Sequence, residues 1–237
     1  MTFEYKHFLT ADGSPTLSVA PTWERMHAEE GAFTERQFLY QPVAEKAFEA
    51  VREPVFLALG LGLGYNELLI AFEALHRGQN PALIASYELV DFLREAFLYW
   101  LKDESSALSP VYDQIAKMYS LKYERKPAEA KFYLRNLLNE KRFLLLGAIE
   151  KVDPPASHAI FFDAFSPKTS PELWTPEFLD RFFEKASAPP CFVATHACNV
   201  VLKKALIKNN FILGIHKGFG RKRESMFAYK LTQKTDG

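Results

Sequence analysis

The chain has 237 residues, 48% of them hydrophobic, enough to bury one full core. Its 29 basic and 29 acidic side chains cancel, so net charge by itself gives no support to nucleic-acid binding. The apolar runs fall far short of the ~20 residues that a membrane-spanning helix needs.

In chain order, residues 1–42 read as an N-terminal extension, irregular to about Gln41, followed by one domain over 43–237. Met1–His7 shows no basic stretch leading into an apolar one, so no secretory signal is expected. Hydrophobic periodicity then predicts a helix over Val43–Val51, a strand over Val55–Leu59, a helix over Asn66–His76, a strand over Ala82–Tyr87 and a helix over Val90–Leu101. Pro110–Leu121 reads as helical, whereas Lys131–Leu146 fits a helix or a strand-turn-strand equally well. Beyond it come a strand over Ala159–Phe162, a helix over Pro176–Ala186, a strand over Phe192–Thr195 and a helix over Asn199–Asn209. Phe211–His216 and Ser225–Leu231 flank a basic turn and read as a terminal antiparallel hairpin. Alternating strands and helices predict an α/β fold with a mostly parallel sheet covered on both faces.

Cys191 and Cys198 form no metal-type pattern with spaced histidines, so no metal site is expected. They read as reduced thiols of a cytoplasmic protein.

Two of the strands stop at residues suited to functional loops. The first runs into Leu59-Gly60-Leu61-Gly62-Leu63-Gly64-Tyr65-Asn66, where glycines let the backbone turn tightly and approach a ligand closely. The dinucleotide fingerprint G-x-G-x-x-G is not completed from any of the three glycines. The G-x-G-x-G spacing is instead the form of class I methyltransferases, whose loop cups the amino-acid end of S-adenosylmethionine; plain turn glycines are the plainer reading. The next strand ends at Glu88, which can accept hydrogen bonds from both ribose hydroxyls of a nucleoside cofactor or else cap the following helix. The strand over Ala159–Phe162 ends at Asp163, an acid placed either for catalysis or to cap the following turn. Lys217–Arg223 puts four cations and two glycines into seven residues, a solvated turn or a phosphate contact.

Three islands carry a family resemblance: Gly60–Asn66, Asp163-Ala-Phe-Ser-Pro167 with Ser170-Pro-Glu-Leu-Trp-Thr175, and Gly218-Phe-Gly-Arg-Lys-Arg-Glu224. Together they resemble the methyltransferase domain of the bifunctional MnmC enzymes. Asp12–Pro15 and Gly31–Glu35 are similar to that domain's leading segment, while Phe92–Phe143 shows almost no likeness. The resemblance implies a class I, Rossmann-like methyltransferase that uses S-adenosyl-L-methionine to methylate the 5-aminomethyl group of wobble (2-thio)uridine in tRNA. It implies Asp163 as the catalytic acid, acting mainly to orient the amine, because a nearby anion favours the unreactive protonated amine. Gly60, Gly62, Gly64, Asn66, Glu88 and Ala148 are the implied cofactor residues. Phe165, Pro167 and Trp174 would shape a pocket for the uracil ring, with packing under the loop the plainer role for Trp174. Lys168, Arg221, Lys222 and Arg223 would meet anticodon-stem phosphates.

The chain departs from that pattern at two places. Where the family carries Gly-Asp, it has Gly147-Ala148, so an adenine contact falls to backbone, to Glu150, or is absent. The hydroxyl-rich segment after Ala-Thr has become Ala194-Thr195-His196-Ala197-Cys198-Asn199, and His196 reads as an ordinary loop histidine with no role. The length leaves no room for the flavin-dependent oxidase half, so the aminomethyl uridine is expected from a separate oxidase or another pathway. Two further readings stay open: an aminopropyltransferase, which shares the fold but wants several acids near the amine, and a non-catalytic module that binds RNA or the cofactor.

Overall fold

The computed structural model describes residues 4–20, 23–149, 153–221 and 224–232. Its first finding corrects the irregular reading of the N-terminal portion. Strands β1 (Tyr5–Leu9), β2 (Pro15–Val19) and β3 (Glu24–Arg25) form an antiparallel three-stranded sheet. All five residues of β2 are buried, so the apolar/polar alternation that betrays a half-buried strand is missing. Its polar residues Thr16 and Ser18 are buried, and the Thr16 hydroxyl lies 2.9 Å from His27 Nδ1. Helix α1 (Ala32–Leu39) follows, and the Asp12 carboxylate accepts from the Thr34 amide at 3.0 Å and its hydroxyl at 2.9 Å. This anion at a helix start comes from 22 residues upstream, outside any local capping pattern. Tyr40 links α1 to α2 (Gln41–Ala50).

The rest of the chain builds one seven-stranded sheet around β4 (Val55–Leu59), β5 (Leu83–Tyr87), β6 (Phe143–Leu146), β7 (Ser157–Phe162), β8 (Ser187–Thr195), β9 (Ile212–Lys217) and β10 (Glu224–Lys230). The spatial order is β6-β5-β4-β7-β8-β10-β9. The first five strands run parallel, whereas β10 is antiparallel to both β8 and β9, closing the expected terminal hairpin. Between the strands lie α3 (Tyr65–Arg77), α4 (Asp91–Leu101), α5 (Ser109–Tyr123), α6 (Pro127–Asn139), α7 (Pro176–Ala186) and α8 (Val200–Lys208).

Alternate residues of the central strands face two cores. Phe56, Ala58 and Phe161 join the core shared by α1 to α6, while Leu57, Leu59, Ile160 and Phe162 join the one beneath α7 and α8. Each fully buried Phe or Leu contributes about 1.5–3 kcal/mol, so both faces of β4 and β7 are held firmly. Among the described residues no helix is long and apolar enough to cross a membrane.

The ambiguous stretch resolves into the last two turns and more of α6, a tight turn and β6. Pro127 sits in the first turn of α6, and Glu129 accepts from the Lys126 amide at 2.9 Å, both marks of a helix start. Lys141 then takes a left-handed φ of 58°, which breaks the helix before β6 begins. β8 is longer than expected because Ser187 also pairs with Ser157, ahead of an irregularity in the β7 pairing.

Candidate active site

From β4 the chain steps outward through β5 to β6, then crosses back to β7 and β8 on the other side of β4, so the strand order reverses between β4 and β7. In open parallel sheets a crevice opens at the carboxyl ends of the strands at such a point. Here a cavity of about 540 Å³ lies there, lined by Gly60, Glu88 and Asp163 from the ends of β4, β5 and β7. That size is within the ~300–1,000 Å³ of small-molecule sites.

Gly60 has φ 103°, and a Cβ there would stand 2.9 Å from the Asp163 carbonyl oxygen, so only glycine lets the loop pass the end of β7. Gly62 lines the cavity and donates its amide to Glu88 Oε2 at 3.0 Å. Gly64 is not among the lining residues. Its φ is 71°, and a Cβ would meet the Phe97 ring at 2.4 Å, so it packs the start of α3 against α4. Asn66, in the first turn of α3, does line the cavity, and its Oδ1 is buried without a hydrogen-bond partner among the described residues.

Glu88 is buried and accepts from the amides of Gly62 and, at 2.9 Å, Val90. Burial raises its pKa, and those amide bonds only partly offset the shift. The Val90 bond lies at the start of α4, yet the same carboxylate borders the cavity. Helix support and a place in the cavity wall therefore coexist in one side chain. Ala148 lines the wall beside Gly147 and Ile149; Glu150 lies outside the described residues.

In the cavity wall, Asp163 stands against three side chains. Arg36 of α1 donates to Oδ2, Tyr40 donates its hydroxyl to Oδ1 at 2.9 Å, and His196 Nδ1 stands 3.3 Å from Oδ1. Burial would push its pKa up, but the Arg36 charge, assisted by His196 and His27, holds it well below the usual carboxylate range. Asp163 is thus an anion that accepts hydrogen bonds from Arg36 and Tyr40, with His196 close beside it. None of Arg36, Tyr40 and His196 was singled out from the sequence. Arg36 and Tyr40 fall in the segment read as irregular, and His196 had no signal beyond its place after a strand.

Phe165 lines the cavity, while Pro167 and Lys168 are exposed outside it. Trp174 is buried outside the lining, edge-on to Phe162 at 5.4 Å between centroids, and donates Nε1 to the Phe165 carbonyl at 2.8 Å. Its contacts shape the loop from beneath. Glu24 of β3 holds the same loop, accepting from the Ser166 amide at 3.3 Å, the Ser166 hydroxyl at 3.0 Å and the Thr169 hydroxyl. Arg221 is 91% exposed, and its amide donates to Glu30 at 3.1 Å; Lys222 and Arg223 lie outside the described residues.

A family model described as S-adenosyl-L-methionine-dependent methyltransferase matches residues 106–231. An uncharacterized protein of Methanocaldococcus jannaschii is 25% identical over 227 residues, covering 93% of this chain and 58% of that one. The tRNA 5-methylaminomethyl-2-thiouridine biosynthesis bifunctional protein MnmC of Pseudoalteromonas atlantica is 26% identical over 230 residues, covering 91% of this chain and 32% of its own. The chain thus spans from a third to somewhat over half of these relatives' lengths. Among solved structures, MnmC2 of Aquifex aeolicus matches with a TM-score of 0.63 and 25% identity, over 96% of this chain and 71% of that one. S-adenosyl-L-methionine brings a ribose diol and an ammonium group, both hydrogen-bond donors, and the unpartnered Asn66 oxygen and the Glu88 carboxylate are acceptors suited to them. Since the matched model spans more than half of the sequence, the chain belongs to the S-adenosyl-L-methionine-dependent methyltransferase family.

Proposed function

We propose that this methyltransferase acts on the 5-aminomethyl group of wobble (2-thio)uridine in tRNA, giving the 5-methylaminomethyl nucleoside. The observation that carries the reading is the ionised, partly buried Asp163, which keeps acceptor capacity beyond its bonds to Arg36 and Tyr40 and lines a cavity large enough for a nucleoside cofactor. Similarity to MnmC proteins over nearly the whole chain supports the same substrate.

In this reading, the Gly60–Gly62 turn and Asn66 hold the amino-acid end of S-adenosyl-L-methionine and Glu88 holds its ribose. Ala148 and Ile149 give the adenine ring an apolar wall in place of an acid. The bound cofactor supplies an electrophilic methyl group on a sulfonium centre. Asp163 accepts an N–H bond from the substrate amine and so fixes the direction of its lone pair, worth most when the approach is nearly in line. Arg36 and Tyr40 keep that carboxylate ionised and stationary. Because Arg36 holds it so far from protonation, Asp163 orients the amine and does not take its proton.

Residues 1–42 act as part of the site in this account: Glu24, His27 and Arg36 all line the cavity formed with the 43–237 domain. Phe165 offers its ring to the uracil, with Trp174 holding the Phe165 backbone. Exposed Lys168 and Arg221 meet phosphates of the anticodon region, and a separate oxidase or pathway supplies the aminomethyl group.

The test is mass spectrometry of nucleosides after incubation with S-adenosyl-L-methionine and tRNA carrying 5-aminomethyluridine, with unmodified tRNA alongside. A gain of one methyl on that nucleoside alone is expected. Cofactor binding without any methyl transfer to it would remove the wobble-uridine reading.

A further inference from the structure

The amine reading leaves a proton unaccounted for. An alkyl amine with a lysine-like pKa is neutral in only about one molecule in a thousand at neutral pH, and an adjacent anion lowers that fraction further. Asp163, held ionised by Arg36, is the anion and not the acceptor.

We infer that His196 is a catalytic residue of this chain: its Nε2 takes the proton from the substrate ammonium, in a dyad whose other half is Asp163. The inference rests on the proposed amine substrate. His196 lines the cavity, and its Nδ1 is 3.3 Å from Asp163 Oδ1. A carboxylate ion only accepts, so Nδ1 carries the ring proton and Nε2 is left as the acceptor. The N–H bond of the ammonium breaks, its electron pair stays on nitrogen as the attacking lone pair, and the proton forms the Nε2–H bond. After turnover the imidazolium returns that proton to water, reached through its 26% exposed side chain.

The position is built for this. Thr195 ends β8, paired opposite Met226 of β10, and its hydroxyl accepts the Ala197 amide at 3.0 Å, which fixes the backbone on either side of His196. The Asn199 side chain caps α8 three residues further on, accepting from Leu202 at 2.8 Å. Arg36 is shared between Asp163 and Glu35, so the cluster has two carboxyl groups for one guanidinium. The other charged or titratable groups lining the cavity are Glu24, Arg25 and His27 from the N-terminal segment, Tyr65 of α3, Tyr87 and Glu88 at the end of β5, and Glu172 from the loop after β7; Tyr40 abuts Asp163. Beyond His196, Cys198 donates to Glu224, which stands 3.8 Å from Lys203. The segment is also one where the chain departs from the MnmC pattern, so the histidine is a property of this chain.

The experiment compares wild type with His196→Asn, which can keep the hydrogen bond to Asp163 but has no base, and with His196→Gln. Rates of methyl transfer to aminomethyluridine tRNA are measured from pH 6.5 to 10, and cofactor affinity is measured by calorimetry at each pH. Histidine-selective ¹⁵N NMR of the wild type reads the tautomer directly. The inference predicts a loss of about 100-fold at pH 7 in both variants, shrinking to a few-fold near pH 10, where the amine arrives neutral. It also predicts unchanged cofactor affinity and a protonated Nδ1. A deficit constant across pH, a His196→Asn rate equal to wild type, or an Nε2–H tautomer would overturn it. A wild type inactive on that tRNA would instead overturn the amine reading, and this inference with it.

Discussion

Arg36 and Asp163 stand 127 positions apart in sequence and are joined side chain to side chain, the guanidinium 2% exposed and the carboxylate 13%. Removing one partner of such a pair leaves a buried charge alone. Arg36→Met is therefore expected to cost about 3–5 kcal/mol of stability at pH 7, read by urea denaturation. Asp163 has a depressed pKa in the folded state, so its contribution is present above the unfolded value and lost only as pH falls through the lower folded one. Adding Asp163→Asn to Arg36→Met should return part of the loss, because the Asp163 charge is then gone and only Glu35 has lost its contact with the guanidinium. A double variant less stable than Arg36→Met would contradict this.

The three loop glycines separate by role. Gly60→Ala places a Cβ 2.9 Å from a backbone oxygen beside the cavity, and a roughly 10- to 100-fold loss of S-adenosyl-L-methionine affinity is expected from strain of about 1–3 kcal/mol. Gly64→Ala strikes the Phe97 ring instead, away from the cavity lining. It should lower the melting temperature more than it lowers affinity. Calorimetric titration and thermal denaturation of both variants distinguish the two.

Glu24 ties β3 to the loop through Ser166 and Thr169. Glu24→Ala should raise amide exchange across residues 164–170 and raise KM for tRNA by about 10-fold, as expected when a positioning contact of ~1.4 kcal/mol is lost. Exchange unchanged from wild type would show that the loop holds its own shape.

The strand and helix alternation, the glycine loop, Glu88 and Asp163 were all legible because each is written locally: an apolar run that ends in residues of special chemistry. What supports Asp163 was not. Arg36 and Tyr40 reach it across 127 and 123 positions, and β2, in the same N-terminal segment, buries threonine and serine where a strand pattern would show alternation. The likeness to a family placed Gly64 with the cofactor residues, whereas the constraint that makes it glycine is a ring on α4, visible only after folding.

Glu67 offers a test of stability against pH. It is fully buried on α3, Ser86 donates to its Oε1 at 2.6 Å, and its Oε2 has no partner among the described residues. Burial, only partly offset by that hydrogen bond, pushes its pKa up to about 7. A raised folded pKa means that its contribution is full below the unfolded value of 4.5 and is lost as pH rises through about 7. Glu67→Gln should remove that decline, leaving the variant more stable than wild type above pH 7 by on the order of 2–3 kcal/mol. Denaturant titrations at pH 5 and pH 8 give the comparison; parallel slopes in the two proteins would rule it out.

In the proposed reaction the charge on Asp163 orients the substrate amine and does not hold the cofactor. Asp163→Asn keeps the shape and removes the charge, so cofactor affinity and the single-turnover rate on aminomethyluridine tRNA should be measured together. The account predicts affinity within about 3-fold of wild type and a rate at least about 100-fold lower, the signature of an interaction made in the transition state. A rate near wild type, or an affinity that falls in step with the rate, would contradict it.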